Sequence, residues 1–173
     1  RQGGGGLLDI GCYCISSSRW ICDREPKRVI GLFDKDPSFG TDRLASGILD
    51  FGNGLQASFT CSTQVAPYQR INILGTHGRV EIDIPFNAPP DRPCRVSLYP
   101  GTHSDQGRFE PAESQVLDMD ICDQYTLQGE ATSLAILNDK PVPYGLEDAV
   151  GNMRTLEALR QSNESSAWIV PSA

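Results

Sequence analysis

The sequence predicts an α+β fold: an open, mostly antiparallel β-sheet with helices packed on one face. Three observations carry this. Residues 55–64 alternate strictly, with Leu55, Ala57, Phe59, Cys61 and Thr63 on one side and Gln56, Ser58, Thr60, Ser62 and Gln64 on the other. Gly52-Asn53-Gly54 stands between two β-patterned runs, a strong local hairpin signal. Helical periodicity is confined to the start and the end of the chain, so the order is helix, run of strands, two helices.

The first helix is expected over residues 8–22, ending in a polar stretch where Pro26 forbids easy continuation. Leu7, Ile10, Cys14 and Ile21 step by three, four and seven and are expected to form its buried stripe. Strands follow at 28–33, 44–51, 55–64, 70–74 and 79–84. In the last of these Val80, Ile82 and Ile84 alternate with Glu81 and Asp83. The Pro-rich stretch 86–93 is read as loop, 94–99 as strand, 100–114 as loop and 114–118 as the strand that closes the sheet. Two helices finish the chain. One spans 123–137, with the stripe Leu127, Ala131, Leu134 and Ala135. The other begins at Leu146, repeats the period through Ala149, Val150, Met153 and Leu156, and ends near Ser162-Asn163. Glu147 and Asp148 fall in its first turn, where the helix dipole favours acids.

A chain of 173 residues, 39% hydrophobic and 21% charged, is long and apolar enough for one ordered domain. Twenty-two acids against 15 bases give a net charge of −7 with no basic patch, so no nucleic-acid partner is expected. No apolar run approaches the roughly 20 residues of a membrane span. The six cysteines form no CxxC pair, and His77 and His103 stand far apart. No metal site is expected, and free buried thiols in a reducing cytoplasm are.

The stretch from Gly3 to Trp20, GGGGLLDIGCYCISSSRW, is the candidate site. A glycine run lets a ligand or a second backbone come close. It is no phosphate loop, because no Gly-Lys-Ser/Thr follows, and no dinucleotide fingerprint, because no strand precedes it and Asp9 stands where a third glycine belongs. Asp9 and Tyr13, four apart, share a helix face. An Asp near a helix start is ordinarily a cap or dipole partner, and a Tyr ordinarily half-buried packing. The chemical reading is a proton shuttle: a phenol of reference pKa about 10 acts as acid or base when a nearby cation stabilises its anion.

Asp9, Gly11 and Tyr13, behind that glycine run, resemble the junction motif of the Gfo/Idh/MocA oxidoreductases, in the Tyr variant found in glucose–fructose oxidoreductase and in dimeric dihydrodiol or xylose dehydrogenases. Asp123-Gln124-Tyr125, Gly129-Glu130-Ala131, Asn152-Met153-Arg154 and Trp168 are similar to the closing helices of the same family. The resemblance implies the second half of a two-domain enzyme. Residues 1–173 would be a single C-terminal substrate-binding and oligomerisation domain, and a Rossmann domain binding NAD or NADP, with a Glu-Lys-Pro lysine, would lie outside this chain. Glu25-Pro26-Lys27 has the wrong order for that motif. It further implies hydride transfer to or from a sugar, polyol or related secondary alcohol, with Tyr13 as catalytic proton donor and acceptor. Asp9 would be catalytic and substrate-binding, and Gly11 substrate-binding. No cofactor and no activity are expected of this chain alone. The family's sheet makes oligomer contacts, and the small, neutral face Gln56, Ser58, Thr60 and Ser62 suits a homodimer or higher homo-oligomer. The rival is a stand-alone, non-enzymatic binding or assembly module of the same fold.

Overall fold

The structure is a computed structural model that describes residues 4–172. It divides into two compact units, one made of the described residues up to Ala66 together with those from Tyr144 onward, the other of Pro67–Pro143. Every strand pairing among the described residues is antiparallel, as the α+β expectation requires, but the strands fall into two sheets.

In the first unit, β1 (Arg28–Lys35), β2 (Asp42–Gly52) and β3 (Leu55–Ser62) form a meander. Gly52, Asn53 and Gly54 all take positive φ in the β2–β3 turn, as the hairpin signal demanded. Residues 7–22 are two helical pieces: a π-helical turn, Leu7–Gly11, and helix α1, Cys12–Cys22. Helix α3 runs Leu146–Ser165. The core is Leu7, Ile15, Val29, Ala45, Leu49, Phe51, Cys61, Leu156, Ala158 and Leu159, so both helices pack on one face of the three-stranded sheet.

One cross-strand row sets how close they come. Gly31 pairs with Gly47, and Gly47 with Phe59. A Cβ at Gly47 would meet the Phe59 ring at 2.6 Å and Leu159 at 3.0 Å. One at Gly31 would meet the Leu159 carbonyl oxygen at 2.9 Å. Two aligned glycines therefore open a trough that the Phe59 ring and α3 fill. The free edge of β1 is then closed from α3 and the tail: Gly31 N–H donates to Ser162 Oγ (3.1 Å), Phe33 N–H to Asn163 Oδ1 (2.7 Å), and Val29 exchanges backbone bonds with Ile169. An edge that would otherwise be a template for another strand is satisfied internally.

Two expected stripes are corrected. On the first helix the buried positions are Leu7, Gly11, Ile15 and Arg19, four apart. Ile10, Cys14 and Ile21 are only half-buried. A π turn takes up more residues than an α turn and rotates everything after it. On α3 the buried face is Gly151, Thr155, Leu156, Ala158, Leu159 and Ser162, while Val150 and Met153 are exposed. Leu156 and Leu159 enter the core, small residues stand between them where α3 lies close to the sheet, and Gly151 leaves room for Arg19 and Glu25.

Arg19 is buried at the α1 C-terminus. Its guanidinium makes a bidentate pair with Glu25 (2.8 and 2.6 Å) and reaches the Asp148 carboxylate at 3.0 Å, which joins α1 to the start of α3. Glu25, in the wrong order for the family's lysine motif, has this structural use instead. The pairing holds its carboxyl below the usual glutamate range.

The second unit holds β4 (Ile71–Gly75), β5 (Gly78–Ile82), β6 (Cys94–His103), β7 (Phe109–Pro111), β8 (Gln115–Met119) and helix α2 (Gln124–Leu137). β7 and β8 pair with successive lengths of β6. Residues 100–114, read as loop, thus contain the end of β6 and all of β7. The Phe109 ring lies where a Gly101 side chain would be, so a Gly and Pro content that reads as loop serves a close packing. Asp123 caps α2 by accepting from Tyr125 N–H at 3.0 Å. Of the α2 stripe only Ala135 is buried; Leu127 and Leu134 are exposed.

Gly31→Ala is expected to lower stability by about 1–3 kcal/mol, the usual cost of overpacking, because the atom it meets is helix backbone and cannot swing away. Gly54→Ala provides the contrast: it costs only the positive-φ strain, since nothing lies within 4 Å of that Cβ position. Urea unfolding of the two variants measures the difference, and equal midpoints would show that α3 does not press on Gly31.

Candidate active site

Gly3 lies outside the described residues. The rest of the glycine run is not open to a ligand at its centre. The Asp42 side chain, from the start of β2, fills it. Gly5 has φ +71°, and a Cβ there would fall within the Asp42 carboxylate; a Cβ at Gly6 would sit 3.5 Å from Asp42 Oδ2. The same carboxylate accepts the Leu7 N–H at 2.6 Å, satisfying one of the amides that a helix start leaves without an internal partner. At the far end of the π turn, Asn152 of α3 donates through Nδ2 to the Cys12 carbonyl at 3.2 Å. Its own Oδ1 is buried with no partner. Side chains from β2 and α3 thus grip the two ends of the turn.

Between these grips Gly11 faces inward. A Cβ there would meet Leu7 at 3.0 Å and Cys61 Sγ at 3.2 Å, so the glycine lets the turn lie on β3. Asp9 and Tyr13 follow the same four-residue step, two positions out of phase, and are both exposed on the outer side. The two side chains singled out by their spacing are thus both exposed, next to a backbone held from beneath. Asp42 carried no local signal, and Asn152 stood out only within the Asn152-Met153-Arg154 stretch similar to the family's closing helices, not as a support of the turn. An Asp after Phe39-Gly40-Thr41 reads as a turn residue, and an Asn within a helix as a solvated one.

A cavity of about 390 Å³ opens beside the start of the turn, lined by Leu8, Phe33, Lys35, Thr41, Met153 and Arg160 among others. Asp9 and Tyr13 are not among its lining residues. Arg160 is held by Glu157 and Glu164 at 2.8 and 2.6 Å.

Three thiols cluster under the turn. Burial, with Cys14, Asp42 and Cys12 nearby, pushes the Cys61 thiol up to about 12; burial also raises Cys12 and Cys14. A thiol that does not ionise is neither a nucleophile nor a ready metal ligand. These sulfurs are packing groups.

Residues 1–81 match the family model described as the GFO/IDH/MocA C-terminal domain. The chain is 39% identical over 166 residues to an uncharacterised oxidoreductase of Rhizobium meliloti, covering 96% of this chain and 48% of that protein. It is 27% identical over 166 residues to a D-xylose 1-dehydrogenase (NADP(+)) of Haloferax volcanii, with the same coverage, and 29% identical over 90 residues to the trans-1,2-dihydrobenzene-1,2-diol dehydrogenase of Bos taurus, covering 52% of this chain and 27% of that one. Among solved structures, the aldose-aldose oxidoreductase of Caulobacter crescentus in complex with glycerol matches with a TM-score of 0.74 at 23% identity, covering 96% of this chain and 48% of that one. A 3-ketoreductase of Actinomadura kijaniata in complex with TDP-benzene and NADP matches with a TM-score of 0.78 at 20% identity, covering 92% and 48%. At these identities the two structures speak to the fold. The family model assigns residues 1–81 to the GFO/IDH/MocA C-terminal domain, and the relatives extend the likeness over 96% of the chain. The chain spans about half the length of the curated relatives that it matches end to end.

At pH 8, a thiol-alkylating reagent is expected to label exposed Cys122 first and buried Cys61 last, with all six cysteines labelled once the protein is unfolded. Peptide mass spectrometry over time reads the order. Labelling of Cys61 as fast as Cys122 would mean that the thiol cluster is open and ionised.

Proposed function

We propose that this chain is a single C-terminal domain, the substrate-binding and oligomerisation half of a two-domain, NAD(P)-dependent oxidoreductase acting on a sugar, polyol or related secondary alcohol. The carrying observation is the exposed pair Asp9 and Tyr13, the first on a turn gripped at both ends and the second at the start of the helix that follows it. Relatives named for dehydrogenating xylose and a dihydrodiol support a hydroxylated substrate.

The described residues themselves do not fit a dinucleotide. Every strand pairing is antiparallel, which leaves no parallel βαβ crevice, and the glycine run that could approach a pyrophosphate already holds a carboxylate. The cofactor, which supplies the hydride chemistry, is assigned to the other half of the enzyme. This half contributes proton chemistry and positioning. Tyr13 takes the proton from the carbinol oxygen in oxidation and returns it to the carbonyl oxygen in reduction. Asp9 accepts a hydrogen bond from a substrate hydroxyl. Gly11 gives the clearance that seats both against the sheet. Six unpaired thiols suit a reducing compartment such as the cytoplasm. Among the described residues no helix is long and apolar enough to cross a membrane.

The oligomer surface we assign is the outward face of β1–β3. The small polar line Ser58, Thr60 and Ser62 adjoins exposed Leu32, Leu44 and Ile48, and a shallow concavity of about 600 Å³ opens there. The Ser46 and Thr60 hydroxyls satisfy each other at 2.9 Å, which keeps the face neutral.

In the full enzyme, Tyr13→Phe is expected to cut kcat by about 10²–10⁴-fold with cofactor affinity unchanged, since Phe keeps the ring and removes the proton path. Asp9→Asn is expected to raise KM more than it lowers kcat. Steady-state kinetics with separate cofactor titrations measure both, and near-normal turnover of Tyr13→Phe would return that ring to packing. Ser58→Glu combined with Thr60→Glu places two acids per chain on the face and is expected to dissociate the oligomer. Sedimentation velocity checks this, and an unchanged oligomer would move the interface elsewhere.

A further inference from the structure

The grip on the π turn has a purpose that fold stability does not explain. A π turn is a poor helix on its own and recurs where function calls for it. An exposed carboxylate on such a turn inherits its freedom, and a phenol on the helix that follows is aimed by it, whereas proton transfer needs atoms held to a fraction of an ångström. Two side chains remote in sequence remove that freedom. Asp42 takes the Leu7 amide at the beginning, over a separation of 35 residues. Asn152 donates to the Cys12 carbonyl at the end, over 140.

Each grip carries a cost that a purely structural contact would avoid. Asp42 is a charged group tucked against the Gly5 and Gly6 backbone, and it restricts position 5 to a residue without a side chain at φ +71°. Asn152 buries an acceptor, Oδ1, that nothing satisfies. A leucine of similar size would bury no such orphan, and that gain offsets the one bond to the Cys12 carbonyl that it would lose. The amide is kept for the one bond that it makes.

We infer that Asp42 and Asn152 are positioning residues, which clamp the two ends of the Leu7–Gly11 turn so that Asp9, on the turn, and Tyr13, one residue beyond the clamped Cys12 in α1, face the substrate in one fixed geometry. This rests on the proton-transfer reading of Tyr13. Neither residue touches substrate; both act through the backbone that carries the two that do.

The test has two arms. In this chain, amide hydrogen exchange is followed for wild type, Asp42→Asn, Asp42→Ala and Asn152→Leu. Asp42→Ala is expected to speed exchange at residues 7–13 at least tenfold while β2 and β3 keep their protection, and Asp42→Asn, which still offers an acceptor, to restore much of it. Exchange that rises equally across the sheet, or not at all, would overturn the clamp. In the two-domain enzyme, Asn152→Leu is expected to leave the melting temperature unchanged or higher yet lower kcat about tenfold or more, with KM and cofactor affinity unaltered. Asp42→Ala should lower kcat likewise, with partial rescue by Asp42→Asn. Loss of kcat only in proportion to lost stability would make these residues structural and sink the inference. Tyr13→Phe in the same assay separates the two ideas. If it keeps full turnover, the proton-transfer reading fails, and the exchange arm still decides whether the clamp exists.

Discussion

The close approach of α3 to the three-stranded sheet is the constraint from which the first unit follows. Gly31 and Gly47 stand side by side, and the missing side chains let the Leu159 carbonyl come to within 2.9 Å of where a Cβ would be. At that depth α3 turns Leu156 and Leu159 into the core beside the small residues Thr155, Ala158 and Ser162, while Gly151 leaves room for Arg19. The same depth carries Ser162 and Asn163 into bonding range of the β1 edge. It carries Asn152 to the Cys12 carbonyl and brings Asp148 to Arg19. A helix riding a few ångströms higher would lose all of these together, and with them the support beneath Asp9 and Tyr13.

Polar groups inside this unit are placed by pairing more than by avoidance. Arg19 is buried because a bidentate carboxylate and a second acid meet it, the arrangement that offsets desolvation of a guanidinium. Ser162 uses its hydroxyl twice, donating to the Ala167 carbonyl at 2.6 Å and accepting from Gly31. The thiols take the opposite course. They stay protonated, which lets sulfur serve as a compact apolar filler under a turn that glycine has brought close. The charged and polar chemistry is left to the outer side of the turn.

Much of the fold was legible because its signals are local. The alternation of Leu55 to Ser62 fixed which side of β3 is buried, and Asn53-Gly54 fixed the hairpin. Asp9, within the π turn, and Tyr13, in the first turn of α1, are both exposed, so the pair read from spacing stays on the outer surface. What was not legible is what depends on partners far along the chain. No window of sequence around Gly5 says that a carboxylate from position 42 will fill its space. Nor does the apolar count in α3 reveal that Val150 and Met153 stay outside while Gly151 and Ser162 go in, because Gly151 makes room for the Arg19–Glu25 pair and Ser162 bonds the β1 edge. β7 was lost for a related reason: Gly and Pro read as loop residues unless one knows that the Phe109 ring takes the room Gly101 leaves.

The first unit is assembled from the two ends of the described chain, with the second unit inserted between them. During synthesis β1, β2 and β3 can pair as a meander early, from neighbouring residues. The Gly31 amide must wait for a hydroxyl 131 positions later. For that interval the β1 edge and the trough stand bare, the exposure that invites wrong pairing in slow, non-local folds. The inserted unit therefore acts on folding as a tether: the time taken to make its residues sets how long the edge stays open, and its length sets the loop that must close before α3 meets the sheet.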